Sequence, residues 1–145
     1  MQFPTIEDAL ALAAQAHKGQ VDKAGQPYIL HPIRLMLNVP DEAARIVALL
    51  HDVVEDTPIT IEELRAAGYS EEILAALDCV TRRTTETYEE FIERIIPNPL
   101  ARRVKLADLA DNMDLSRIKN VTEKDHARIE RYRAAWAKLG GPTLT

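Results

Sequence analysis

Apolar positions along this chain recur at the three- and four-residue spacing of an amphipathic helix, and almost nowhere at the alternating spacing of a strand. Ile6, Ala9, Leu10, Ala13 and Ala16 mark one face of a first helix. A second is expected from about His31 to Asn38, with Pro32 tolerated in its first turn. The third, from about Asp41 to Glu55, is apolar nearly all round, as a central buried helix is. Its Ile46–Leu50 segment taken alone also reads as a buried strand, but its length and the helix formers on both sides favour a helix. A short helix over Glu62–Ala67 closes at Gly68, and Ile73, Leu74, Leu77 and Val80 mark the next. Tyr88, Phe91, Ile92, Ile95 and Ile96 stripe another before Pro97-Asn98-Pro99 breaks the chain. A helix from about Leu100 to Met113 follows, and Ile129, Tyr132, Trp136 and Leu139 stripe a last one that ends at Gly140-Gly141-Pro142.

Thr5/Asp8, Thr60/Glu63, Thr87/Glu90 and Thr122/Asp125 have the spacing of capping boxes, each at the head of a periodic stretch. The expected fold is all-α, one domain over residues 1–145, long enough to bury a sizeable core. Gly19–Ile29 is the one substantial segment without periodicity, and loops of that length in a helical domain often carry function.

A net charge of −5 argues against a nucleic-acid binder, which normally carries a basic face. No apolar run has the length of a membrane span, and the early run Leu10–Ala16 follows Glu7 and Asp8 rather than basic residues, unlike a signal peptide. The lone Cys79 rules out an internal disulfide and fits a reducing cytoplasm. Its place beside Leu77 and Val80 reads as a buried structural thiol. Arg82-Arg83 and Arg102-Arg103-Lys105 leave room for a small anionic ligand, although Arg82-Arg83 also reads as a solvated helix end.

The chemistry concentrates at His51-Asp52, where two ionisable side chains end the apolar run Ile46–Leu50. A carboxylate in such a setting must be paired, protonated or bound to a metal, and His with Asp is a common ligand mix for a divalent transition metal. On a continuous helix His51 stacks with Glu55 and Asp52 with Asp56. Leu100, Val104, Asp108 and Asn112 form a stripe that starts as core and turns polar, so its polar end faces a cleft; periodicity does not separate Asp108 from Asp111. His31 follows the Gly/Pro loop directly, a good place for a further ligand. His126, among Lys124, Asp125 and Arg128, reads as surface.

With these residues in view, the chain resembles the HD-domain phosphohydrolases, and more closely the guanosine 3′,5′-bis(diphosphate) 3′-pyrophosphohydrolase domain of Rel/SpoT enzymes and the small alarmone hydrolases. The resemblance rests on Ala16-His17-Lys18-Gly19-Gln20 with Pro27-Tyr28-Ile29-Leu30-His31-Pro32, on Leu49-Leu50-His51-Asp52-Val53-Val54-Glu55-Asp56, on Val104-Lys105-Leu106-Ala107-Asp108 with Asn112, and on Arg128 with Tyr132. It implies a metal, usually manganese, held by His31, His51, Asp52 and Asp108, with Glu55 and Asp56 positioning and activating water. Lys23, Asn112, Arg128 and Tyr132 are the implied substrate contacts, Tyr132 serving equally well as core, while His17 implies packing or loop support. The implied reaction is metal-dependent hydrolysis of (p)ppGpp to pyrophosphate and GDP or GTP, without synthesis, by a cytoplasmic protein whose partner is a nucleotide. Another phosphorylated nucleotide, or a non-catalytic nucleotide or metal sensor, are the other readings, and monomer and homodimer both stay open.

Two departures bear on the substrate. Asp22-Lys23 stands where many members carry Arg-Lys, and Met113-Asp114-Leu115 where an Arg is common. A carboxylate at position 22 is expected to weaken binding of so anionic a nucleotide, and Asp22→Arg to restore it.

Overall fold

The computed structural model describes residues 2–143, and the fold is all-α. The described residues form α1 (Ile6–Ala16), α2 (Leu30–Leu37), α3 (Glu42–Leu50), α4 (Val53–Asp56), α5 (Ile61–Ala66), α6 (Glu71–Val80), α7 (Tyr88–Ile95), α8 (Pro99–Asn112) and α9 (Glu123–Lys138). No strand ladder forms among them; Val21 and Pro27 make an isolated antiparallel bridge.

Local chemistry starts most of these helices. Thr5, Thr87 and Thr122 close complete capping boxes with Asp8, Glu90 and Asp125. Thr60 caps α5 through Glu63 N–H, but the return bond is missing, and the Glu63 carboxylate accepts from the Thr60 hydroxyl instead. Asp41, Ser70 and Asn98 cap α3, α6 and α8 without the box pattern.

α3 is the axis of the domain. It packs against α1, α2, α6 and α8, and Ala44, Ile46, Val47, Ala48, Leu49 and Leu50 are all buried. The exception is Arg45, which keeps its head near the surface and donates from Nε to the Val39 carbonyl at 3.1 Å. Cys79 is half-buried against the core rather than fully buried.

The expected single helix from Asp41 to Glu55 is broken. α3 ends at Leu50, Asp52 takes φ −104° and ψ 0°, and α4 begins at Val53. At the break the His51 ring bonds through Nδ1 to the Ala48 carbonyl at 2.7 Å, so a side chain serves the end of α3. The Asp52 carbonyl then accepts from Asp56 N–H at 2.9 Å and opens the new turn. His51 and Glu55 therefore do not share one continuous helix face. The Glu55 and Asp56 carboxylates gather around Asp52 instead, with ligand atoms within 4.8 Å of one another.

The segment over Gly19–Ile29 is built around Asp22. Its carboxylate accepts from Ala24 and Gln26 N–H, both at 2.9 Å, while its backbone N–H donates to the Gln26 carbonyl at 2.8 Å. Gly25 takes φ +81° at the tip of this turn, a conformation that other residues rarely adopt. Asp22 is thus a structural hub of its loop. Asp22→Arg would lose these bonds, so it does not isolate the effect of charge.

Candidate functional site

Three parts of the fold converge on one buried polar centre: the first turn of α2, the break after α3, and α8. His31, His51 and Asp52 each offer a ligand atom within 4.8 Å of the others. Asp108 joins them from α8, its Oδ1 lying 2.9 Å from His31 Nε2 and 3.6 Å from His51 Nε2. Asp52 Oδ2 lies 3.0 Å from His51 Nε2 and also accepts from the Tyr28 hydroxyl. All four residues singled out as ligands are brought together.

The arrangement fits a divalent metal on a specific observation. The Ala48 carbonyl can only accept, so His51 Nδ1 carries its proton there. His51 Nε2 is then the nitrogen facing the carboxylates, and it is buried without an aligned hydrogen bond. A buried polar atom in that state wants a cation.

The carboxylates make the centre favour positive charge. Burial opposes charge on both imidazoles, but Asp52 and Asp108 outweigh it and raise His51 well above the usual histidine range. Burial is likewise outweighed at His31, which Asp108 and Asp111 raise. Asp108 is held well below the usual carboxylate range against its burial, by Lys105 and the two imidazoles. Burial and the Asp52 charge raise both Glu55 and Asp56, which puts carboxylates with enhanced proton affinity at the rim.

Two cavities flank the centre. The first, about 400 Å³, is lined among others by Lys23, Asn112, Arg128 and Tyr132, so the four implied substrate contacts share one space. The second, about 190 Å³, holds His51, Asp52, Glu55 and Asp108 beneath Arg82, Tyr88 and Arg131. Asn112 and Tyr132 line both, and Asn112 donates to Asp108 Oδ1 at 3.0 Å. Tyr132 is also half-buried against the core, so its two readings coexist.

In the first cavity most cations are already paired: Arg34 with Asp111, Arg117 with Asp111 and Asp114, and Arg128 with Asp125. Lys23 has no ion pair among the described residues. Burial and the neighbouring Arg128 lower its pKa.

Several functional neighbours escaped the sequence pattern. Tyr28 packs against both His17 and His31, at ring-centre distances of 4.9 and 5.6 Å, while it donates to Asp52. His17 is buried behind it and bonds through Nδ1 to Gln20 Oε1 at 2.8 Å, which is loop support. Arg82 and Arg83 part company: Arg83 pairs with Asp78 on the surface, whereas Arg82 lines the second cavity and donates its N–H to Glu55 Oε1 at 3.3 Å. Asp108 and Asp111 both reach His31, one at each ring nitrogen. His126 is exposed and belongs to neither cavity.

The sequence model of the HD-domain family matches residues 9–140. The chain belongs to the HD-domain family. Among curated relatives, this HD domain is 44% identical over 82 residues to a guanosine-3′,5′-bis(diphosphate) 3′-pyrophosphohydrolase of Borreliella burgdorferi, covering 54% of this chain and 12% of that one. It is 31% identical over 155 residues to a GTP pyrophosphokinase of Streptomyces coelicolor, covering 96% of this chain and 18% of that one. The chain therefore spans less than a fifth of the length of either relative. A solved metazoan ortholog of SpoT, described as hydrolysing ppGpp, superposes with a TM-score of 0.80 at 24% identity, over 97% of this chain and 89% of that one, so the fold is shared throughout. HD domains use divalent metals, and the His/Asp cluster is where this one can hold it. No helix among the described residues is long and apolar enough to cross a membrane.

Lys105 tests how far the centre depends on balanced charge. Its ammonium pairs with Asp108 Oδ2 at 2.8 Å, the two side chains being only 13% and 8% exposed. Lys105→Met leaves that carboxylate short of a partner and should cost about 3–5 kcal/mol in chelator, read by urea unfolding. Arg103→Met, which opens the exposed pair with Asp41, should cost no more than about 1 kcal/mol in the same assay.

Proposed function

We propose that this HD domain is a cytoplasmic, metal-dependent phosphohydrolase that removes the 3′-pyrophosphate of (p)ppGpp, releasing pyrophosphate and GDP or GTP. The observation that carries the proposal is the meeting of His31, His51, Asp52 and Asp108 at the join of two cavities, with Glu55 and Asp56 beside them. The names borne by the relatives narrow the substrate to guanosine bis(diphosphates).

In this reading His31, His51, Asp52 and Asp108 hold the metal, and two imidazoles with two carboxylates suit manganese better than calcium. A divalent ion bound there supplies a water of lowered pKa and polarises the phosphoryl oxygen. Glu55 and Asp56 would orient a water beside that site and accept its proton, the task for which raised carboxylate pKa values suit them. Asn112, already bonded to Asp108, bridges the metal centre and the nucleotide. Tyr132 and Lys23 flank the nucleoside, and Arg128, held by Asp125 at 2.6 Å, lends directed donors rather than free charge. A non-catalytic sensor would have no use for the Glu55-Asp56 pair.

A second reading, cleavage of another phosphorylated nucleotide by the same centre, is favoured by one observation. The first cavity offers little uncompensated positive charge, with Asp22, Asp111 and Asp114 among its walls.

Three results test the reading. Elemental analysis should find one divalent ion per chain, absent from His51→Ala and Asp52→Ala; equal metal in all three proteins overturns the ligand set. With manganese supplied, the parent should convert ppGpp to GDP and pyrophosphate. Glu55→Gln and Asp56→Asn should keep the metal and lose about 10²–10⁴-fold in turnover, and full activity in both would remove the water-activating role.

Asp22→Asn keeps an acceptor oxygen for Ala24 and Gln26 while removing the like charge. It should lower KM for ppGpp several-fold with kcat unchanged, as added uniform binding does. If ppGpp is untouched by the parent and a different nucleotide is cleaved well, the second reading replaces the first.

A further inference from the structure

His31 has a carboxylate on each ring nitrogen, and both are held, Asp108 by Lys105 and Asn112 and Asp111 by two arginines. Asp111 Oδ2 lies 2.6 Å from Nδ1, and Asp108 Oδ1 lies 2.9 Å from Nε2. Arg34 grips Asp111 with two parallel bonds, Nε to Oδ1 at 2.8 Å and a terminal nitrogen to Oδ2 at 3.0 Å. Arg117 adds a contact to Oδ1 at 3.3 Å and a bond to the Asp111 carbonyl at 3.1 Å. With its side chain 9% exposed, this carboxylate is an anchored acceptor with no freedom to follow a ligand.

Asp108 is itself a candidate ligand, so the shorter bond to Asp111 is the one that keeps the ring proton at Nδ1 when a metal is held, and the Nε2 lone pair then faces Asp108 and His51. With the ring neutral, that lone pair and the Asp108 oxygen 2.9 Å away can both serve one cation between them. Asp111 bonds to Nδ1 while Asp108 meets Nε2, so Asp111 acts on the centre through the imidazole.

We propose that Asp111, clamped by Arg34 and Arg117, is a positioning residue that holds His31 in its Nδ1–H form and aims Nε2 at the metal centre, and so sets metal affinity. This rests on the metal-centre reading above, and its test reads metal binding and stability apart from turnover. Arg34 belongs to the same device: it stands on the same helix as His31, one turn on, and pins the carboxylate that pins the ring.

The experiment is a Mn2+ titration of the folded full chain, following the free-ion electron paramagnetic resonance signal, alongside urea unfolding in chelator. Asp111→Asn can donate as well as accept and carries no charge, so it frees the ring to change tautomer. It should raise the Kd for Mn2+ about 10–100-fold. Arg34→Gln, which leaves Asp111 in place but unclamped, should raise it several-fold and carries the test if Asp111→Asn does not fold. A Kd within twofold of the parent, with lower stability in chelator, would mean that Asp111 only ties α2 to α8, and overturns the inference. A parent chain that takes up no Mn2+ overturns the metal reading itself and this inference with it.

Discussion

The polar centre of this molecule is arranged around a carboxylate almost withdrawn from water, its side chain only 8% exposed. Asp108 is buried, and its two oxygens meet Lys105, Asn112 and the imidazoles of His31 and His51. A charge in that position is tolerated only if every partner is in place. Those partners come from α2, from the break after α3 and from α8 itself, so meeting the demand of one side chain fixes three segments relative to one another. α3, surrounded on all sides, supplies the rigid axis against which α2 and α8 are held.

The break at His51-Asp52 is where the axis gives way to chemistry. Within α3 ionisable groups are confined to Glu42 and Arg45, which reach the surface, and inward-facing ones appear only where the helix stops. There His51 bonds back to the Ala48 carbonyl and turns its second nitrogen inward, while Asp52 leaves the helical path and meets Tyr28. α4 then presents Glu55 and Asp56 beside Asp52, at the mouth of the centre rather than within it. The same two-residue break thus separates buried candidate ligands from half-solvated carboxylates with raised proton affinity.

What could be read in the sequence follows from the range of the forces involved. Helix starts were legible because a cap is a contact over three residues, and Thr5, Thr87 and Thr122 act as their spacing implies. The central position of α3 was legible because burial on all sides leaves no polar face. The end of α3 was not: helix propensity runs through Val53-Val54-Glu55 without a signal, and the break depends on His51 turning back on its own helix and on Tyr28, distant in the chain. Periodicity left Asp108 and Asp111 equivalent because each reaches the same ring, and their difference comes from Arg34 and Arg117, which no spacing along α8 reveals. Asp22 looked like a missing cation in the resemblance and is also the acceptor that shapes its loop, a role visible only in three dimensions.

The cost of this centre is itself an argument about its purpose. Replacing a buried ionic cluster by apolar side chains of similar volume is often neutral or stabilising, so such a cluster is weak support for the fold. This domain has Leu, Ile and Val in abundance next to the site, with Leu49, Leu50, Val53 and Leu109 fully buried beside the polar residues. It nevertheless places His31, His51, Asp52 and Asp108 among them and leaves His51 Nε2 without an aligned bond. Stability alone would remove that atom or give it a partner. A group left buried and unsatisfied, with its other nitrogen committed and carboxylates facing it, is what a cation-binding centre requires and what a core built only for folding avoids.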